Sequence, residues 1–253
     1  MTDLILTERI GQTNVITINR PEARNAVNPE TAALLKAAFE AGEADPAIAV
    51  HILTGADGNF CAGADLKAVA SQARFERQAP MGPTWLSLTK PSIAAVEGHA
   101  VAGGLELAVL CDLRVASETA VFGVYCRRWG VPLIDGGTVR LPRLIGQSRA
   151  MDMILTGRAV KAPEALTFGL ANRVVAPGKA LEAALTLAEQ MAAFPQDCMR
   201  NDRLSALEQW SLSLPAALAF EAEIGRDSLR AGASGGAARF ADGKGRGGDF
   251  GDI

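Results

Sequence analysis

β-Branched and polar residues alternate from Leu4 to Ile10 and again from Asn14 to Ile18, around Gly11-Gln12-Thr13. This period of two predicts a pair of strands joined by a turn. Asn19-Arg20-Pro21-Glu22-Ala23-Arg24-Asn25-Ala26 follows as a loop that the proline keeps out of helix at its start. From Pro29 to about Glu43 the composition turns to Ala, Leu, Lys and Glu, predicting a helix with Asn28 as its cap. Ala49 to Leu53 predicts a short apolar strand, and Thr54 to Gly58 a turn. Further strands are expected at Ser92 to Val96, Leu113 to Ala116, Ala120 to Gly123 and Arg173 to Val175. Short helices are expected at Leu105 to Leu110, Thr138 to Leu144, Arg149 to Leu155 and Pro163 to Thr167. Beyond Leu181 the pattern is alanine-rich helix, continued by Asp197 to Trp210 and Pro215 to Leu229.

Three stretches interrupt this pattern with small or irregular residues. Asn59-Phe60-Cys61-Ala62-Gly63-Ala64-Asp65-Leu66-Lys67 leads from a strand into a helical turn, and Ala68 to Pro83 then reads as a helix-like lid or a loop over a site. Glu97-Gly98-His99-Ala100-Val101-Ala102-Gly103-Gly104-Leu105-Glu106 joins a strand to an apolar helix. Glycines there let the backbone approach a ligand, and the first N–H groups of a helix have no internal partner. The same small residues would also serve simple packing of a strand-to-helix connection. The third stretch, Val124 to Gly137, contains two glycine breaks and a proline, as site-lining segments often do.

Composition narrows the function. A chain of 253 residues with 49% hydrophobic content can bury a substantial core. Its formal charge of -3 offers no global attraction to nucleic acid, and Arg127-Arg128 reads as a solvated pair. The longest apolar region, Ile93 to Val115, is broken by Glu97, His99, Glu106, Asp112 and Arg114, so no membrane span is expected. Four scattered cysteines without a CxxC pair and an N-terminus without a secretory pattern point to reduced thiols in a cytoplasm. The two histidines form no zinc motif; His51 reads as structural and His99 as packing near the glycine turn. Gly232-Ala233-Ser234-Gly235-Gly236 spells a hydrolase elbow, but it follows a helix and no histidine comes after it, so it reads as a flexible connector.

Phe60-Cys61-Ala62-Gly63-Ala64-Asp65-Leu66-Lys67 and Gly98 through Gly103-Gly104-Leu105-Glu106-Leu107, with Asn19-Arg20-Pro21 and Asn25-Ala26 upstream, resemble the enoyl-CoA hydratase/isomerase (crotonase) superfamily. The resemblance extends over nearly the whole chain. It implies an α/β fold, a spiral of β-β-α turns over residues 1–190, with a C-terminal helical trimerisation region and glycine-rich tail over 191–253. It implies an acyl-CoA substrate, a homotrimer or a dimer of trimers, and no cofactor apart from the coenzyme A carried by the substrate. By matching positions, the thioester oxygen would be held by the backbone N–H groups of Ala64 and Gly103. Coenzyme A would lie near Arg24, Ala26, Ala62, Asp65, Leu66 and Lys67, with Lys244 and Arg246 as phosphate partners, supplied by an adjacent subunit.

Hydratases of this superfamily commonly share proton transfer between two glutamates. Glu106 matches the first, although a first-turn carboxylate also answers the helix dipole. The ungapped pattern puts Cys126 where the second would stand, a departure from the family. Asp135 is the preferred substitute, with capping of the following helix as its other reading; Tyr125 and Cys126 rank below it. The expected reaction is hydration of a 2-enoyl-CoA, the alternatives being double-bond isomerisation or CoA-thioester binding with little catalysis.

Overall fold

The computed structural model describes residues 3–248. Its main sheet contains β1 (Ile5–Ile10), β2 (Thr13–Ile18), β3 (Val50–Gly55), β4 (Ser92–Val96), β6 (Leu113–Ser117) and β9 (Arg173–Val175), in that order. Only the β1–β2 pair is antiparallel. A second, three-stranded sheet contains β5 (His99–Val101), β7 (Val121–Gly123) and β8 (Val160–Lys161). The chain passes from β4 to β5 and from β6 to β7, moving from one sheet to the other before each helix. This is the β-β-α spiral anticipated from the resemblance.

The strands read as continuous apolar runs because both faces of the main sheet are covered. Val15, Val50, Ile52, Ile93, Ala95 and Val115 meet Ala180, Ala184, Leu187 and Ala188 of the helix Ala180–Ala193 on one face. Ile16, Ile18, Leu53, Ala94, Val96 and Ala116 point to the other, into the larger core. That core includes Leu35 and Phe39 of α1 (Pro29–Ala44) and Leu105 and Leu107 of α3 (Gly103–Leu110). Between these helices lies the single turn α2 (Leu66–Ala70). The remaining helices are α4 (Gly137–Ile145), α5 (Gln147–Thr156), α6 (Ala162–Phe168), α7 (Ala180–Ala193), α8 (Gln196–Glu208), α9 (Leu214–Ser228) and α10 (Ser234–Ala241).

Several local expectations change. Of the two readings of Ala68 to Pro83 the loop holds rather than the helix: beyond Ala70 the segment is irregular up to the short turn Pro83–Trp85, with Gln72 and Ala79 at positive φ. The connector expected around Ser234 is instead a wide helical turn, Leu229–Ala233, leading into α10. Glycine disfavours helix by only about 1 kcal/mol, and α9 already supplies the costly first turn. Asp135 does not cap α4: that position belongs to Gly136, at φ 95, with no side-chain cap bond. The last five residues of the expected 191–253 region lie outside the described residues. Within α8, α9 and α10 no described residue is buried, and Leu214, Leu218, Leu229 and Phe240 are exposed. No helix among the described residues is long and apolar enough to cross a membrane.

Candidate active site

Two short segments meet at the start of α3. Cys61 lies beside Ala100: its N–H donates to His99 O at 2.8 Å and its carbonyl accepts from Val101 N–H at 3.1 Å. On the other side Val27 N–H donates to Gly63 O and Asp65 N–H to Val27 O, both at 2.8 Å. Contact here is too close for side chains. A Cβ on Gly104 would stand 2.1 Å from Cys61 O, and one on Gly63 would stand 2.9 Å from Gly103 N. Ala102, which caps α3, holds φ 53 and ψ -124, a conformation disfavoured for an L-residue and of the kind stored at functional sites. Among the described residues, neither Ala64 N–H nor Gly103 N–H has a protein acceptor. Both residues line one cavity of about 540 Å³.

Glu106 sits one turn into α3, the one ionisable side chain of an otherwise apolar helix, and is 2% exposed. Its Oε1 accepts Asp135 N–H at 2.9 Å and Gly137 N–H at 2.8 Å, fixing the carboxyl group. Burial, reinforced by the nearby charge of Asp135, outweighs these two amides and raises Glu106 from 4.5 to about 7. Glu106 Oε2 has no protein partner among the described residues and is not a sealed, unsatisfied atom. Since Glu106 borders the cavity, that oxygen is available to a ligand.

Asp135 repeats this arrangement. One oxygen, Oδ1, accepts Met81 N–H at 3.0 Å and the Thr84 hydroxyl at 2.5 Å, while Oδ2 has no protein partner among the described residues. Burial raises its pKa, against the pull of the Thr84, Met81 and Arg140 donors and charge. Cys126, in the turn Tyr125–Trp129, also lines the cavity. Burial first, then the Glu106 charge, hold its thiol above the ordinary value, so it is a neutral wall at neutral pH.

The remaining residues divide. Arg24, Ala62 and Leu66 line the cavity, as does His99, whose ring Nδ1 pairs with Asn59 Oδ1 at 3.1 Å. Ala26, Asp65 and Lys67 do not border it. Asp65 instead caps α2 through Lys67 N–H and Ala68 N–H and receives Arg20 NH2 at 3.0 Å, while Arg20 NH1 donates to Ala26 O. Arg20 thus fastens residues 20–27 to residues 62–65, a role its place in an Asn-Arg-Pro loop did not reveal. Lys244 and Arg246 lie away from the cavity, the latter 5.8 Å from the Phe240 ring centre. His51 is a core histidine, paired with Glu43 and Asn14. The lid stretch borders the cavity with Val69, Phe75, Pro80 and Met81.

The sequence profile described as "Enoyl-CoA hydratase/isomerase" matches residues 9–241. The chain is 43% identical over 197 residues to the enoyl-CoA hydratase EchA19 of Mycobacterium tuberculosis, covering 74% of each protein. It is 40% identical over 226 residues to a probable enoyl-CoA hydratase of Rhizobium meliloti, covering 88% of each. A crystal structure of an enoyl-CoA hydratase from Mycobacterium tuberculosis superposes with a TM-score of 0.90 at 38% identity, covering 94% of this chain and 96% of that one.

Proposed function

The chain belongs to the enoyl-CoA hydratase/isomerase family, and on that premise we propose that it adds water to a 2-enoyl-CoA, giving a 3-hydroxyacyl-CoA. The observation that carries this reading is the placement of Glu106. Its fixed carboxyl group borders the same cavity as two amides, at Ala64 and Gly103, that have no acceptor among the described residues.

The chemistry follows from these groups. The thioester oxygen accepts the amides of Ala64 and Gly103, which meet more negative charge as the enolate develops than in the neutral substrate. One such donor is worth about 3 kcal/mol of barrier. Water forms the O–Cβ bond as the double bond opens toward Cα; one carboxyl group takes a proton from the water and a carboxyl group delivers one to Cα. Glu106 is the principal acid/base and Asp135 the second. Burial and the Asp135 charge raise Glu106 to about 7, so this carboxyl group can both hold and release a proton near neutral pH. Each of the two has one oxygen occupied by protein donors and the other left for substrate or water. Coenzyme A enters as part of the substrate, and hydration calls for no electron carrier. Arg24, Ala62 and Leu66 form its side of the cavity, while Arg20, bonded to Ala26 O and Asp65, fixes the loops that carry them. The exposed leucines of α9 and the unburied helices around it support assembly as a homotrimer or pair of trimers.

The test is direct. Crotonyl-CoA should lose its enoyl-thioester absorbance in the presence of the wild-type protein, and Glu106→Gln should abolish this. Absence of hydration together with Glu106-dependent isomerisation of a 3-enoyl-CoA would refute the proposed reaction.

A further inference from the structure

Thr84 is wholly buried and lies 51 residues from the carboxyl group that it touches. Its hydroxyl donates to Asp135 Oδ1, where the Met81 N–H also donates, and its carbonyl accepts Arg140 NH2 at 2.6 Å. Arg140 NH1 in turn donates to the carbonyl of Asp135 at 3.0 Å. The Asp135 N–H closes the chain on Glu106 Oε1. Thr84 and Arg140 therefore brace Asp135 from two sides, and Asp135 braces Glu106.

This bracing has a chemical consequence. An oxygen that receives two hydrogen-bond donors is an acceptor and is a poor place for a third proton. We propose that Thr84 is a positioning residue: by donating to Oδ1 it assigns any proton on Asp135 to Oδ2, the oxygen left for the substrate. The inference rests on the reading of Asp135 as the second proton carrier. A charged donor is not needed, since the 81–85 segment contains none. The charged groups facing Asp135 come from the other elements: Arg140 on α4, and Glu106 on α3, which the Asp135 charge raises in turn. Those remain when Thr84 is changed, so the variant isolates one hydrogen bond.

The experiment uses the full chain with Thr84→Val, which keeps the shape, Thr84→Ser, which keeps the hydroxyl, and Asp135→Asn. Thr84→Val should lower kcat for crotonyl-CoA hydration by about 10- to 100-fold, the range for losing a hydrogen bond to a charged group, with KM little changed. The pH limb belonging to Asp135 should move to higher pH, because the ionised form has lost a donor. Thr84→Ser should restore both kcat and the limb. Thr84→Val added to Asp135→Asn should cost no further activity. In ¹³C-carboxyl NMR, a readout that needs no turnover, Thr84→Val should raise the Asp135 midpoint. A melting-temperature change with an unmoved limb and an unmoved NMR midpoint would overturn the role of Thr84. Wild-type kcat in Asp135→Asn would overturn the reading of Asp135, and this proposal with it.

Discussion

Replacing Glu106 with Gln should inactivate the enzyme and stabilise it. Gln keeps a carbonyl oxygen to accept the Asp135 and Gly137 amides, so the local hydrogen bonds survive. What disappears is the cost of ionising a carboxyl group that is 2% exposed. In the folded chain that group titrates at about 7 rather than at 4.5. Between those values the unfolded chain releases the proton that the folded chain retains, so stability falls as pH rises through this window. Below 4.5 Glu106 is neutral in both states; above about 7 the loss is complete. The gap corresponds to about 3 kcal/mol. Urea denaturation of wild type and Glu106→Gln at pH 4.5, 7 and 8.5, at one fixed protein concentration, reads this difference directly. The Gln variant should gain nothing at pH 4.5 and about 3 kcal/mol at pH 8.5. A constant offset at all three pH values would refute the assignment of burial as the source of the shift.

Gly104→Ala drives a Cβ into the Cys61 carbonyl and should cost at least about 3 kcal/mol by thermal melting, since backbone cannot step aside. Gly103→Ala meets the flexible end of Met81 and should cost less. Cys126→Ala should keep kcat near wild type, and iodoacetamide at pH 8 should leave Cys126 unmodified in native protein by peptide mass spectrometry, because burial holds the thiol protonated. Asp65→Ala removes the α2 cap and the partner of Arg20, so KM for acyl-CoA should rise more than kcat falls. Asp65 is half-buried, and Arg20 and the capping amides hold it below 3.8 against that burial; its stabilisation is present above 3.8 and should fade as pH falls further.

The sequence made the scaffold legible where periodicity and local chemistry agreed. Asn28 caps α1 through Thr31 N–H as its composition implied, and the apolar strands are those with two covered faces. Two-residue β8 is too short for any period, and β5 is concealed within the glycine stretch. At the site, Ala64, Gly103 and Glu106 stand out because small residues and a lone carboxylate in an apolar helix leave a local mark. Thr84, Met81, Arg140 and Arg20 leave none: each acts through a partner far along the chain or through backbone atoms. Asp135 was visible as a residue but not in its bonding, since its partners lie at 81 and 84. The capping alternative failed because Gly136 takes the left-handed turn that starts α4.

The central claim is that one thioester oxygen is gripped by two amides from distant loops. A crystal structure with acetoacetyl-CoA measures it most directly. That oxygen should lie at about 3 Å from both the Ala64 and Gly103 nitrogens, with Glu106 Oε2 and Asp135 Oδ2 turned toward the Cα–Cβ bond. A thioester oxygen bound elsewhere, with either amide facing away or covered by protein, would contradict it.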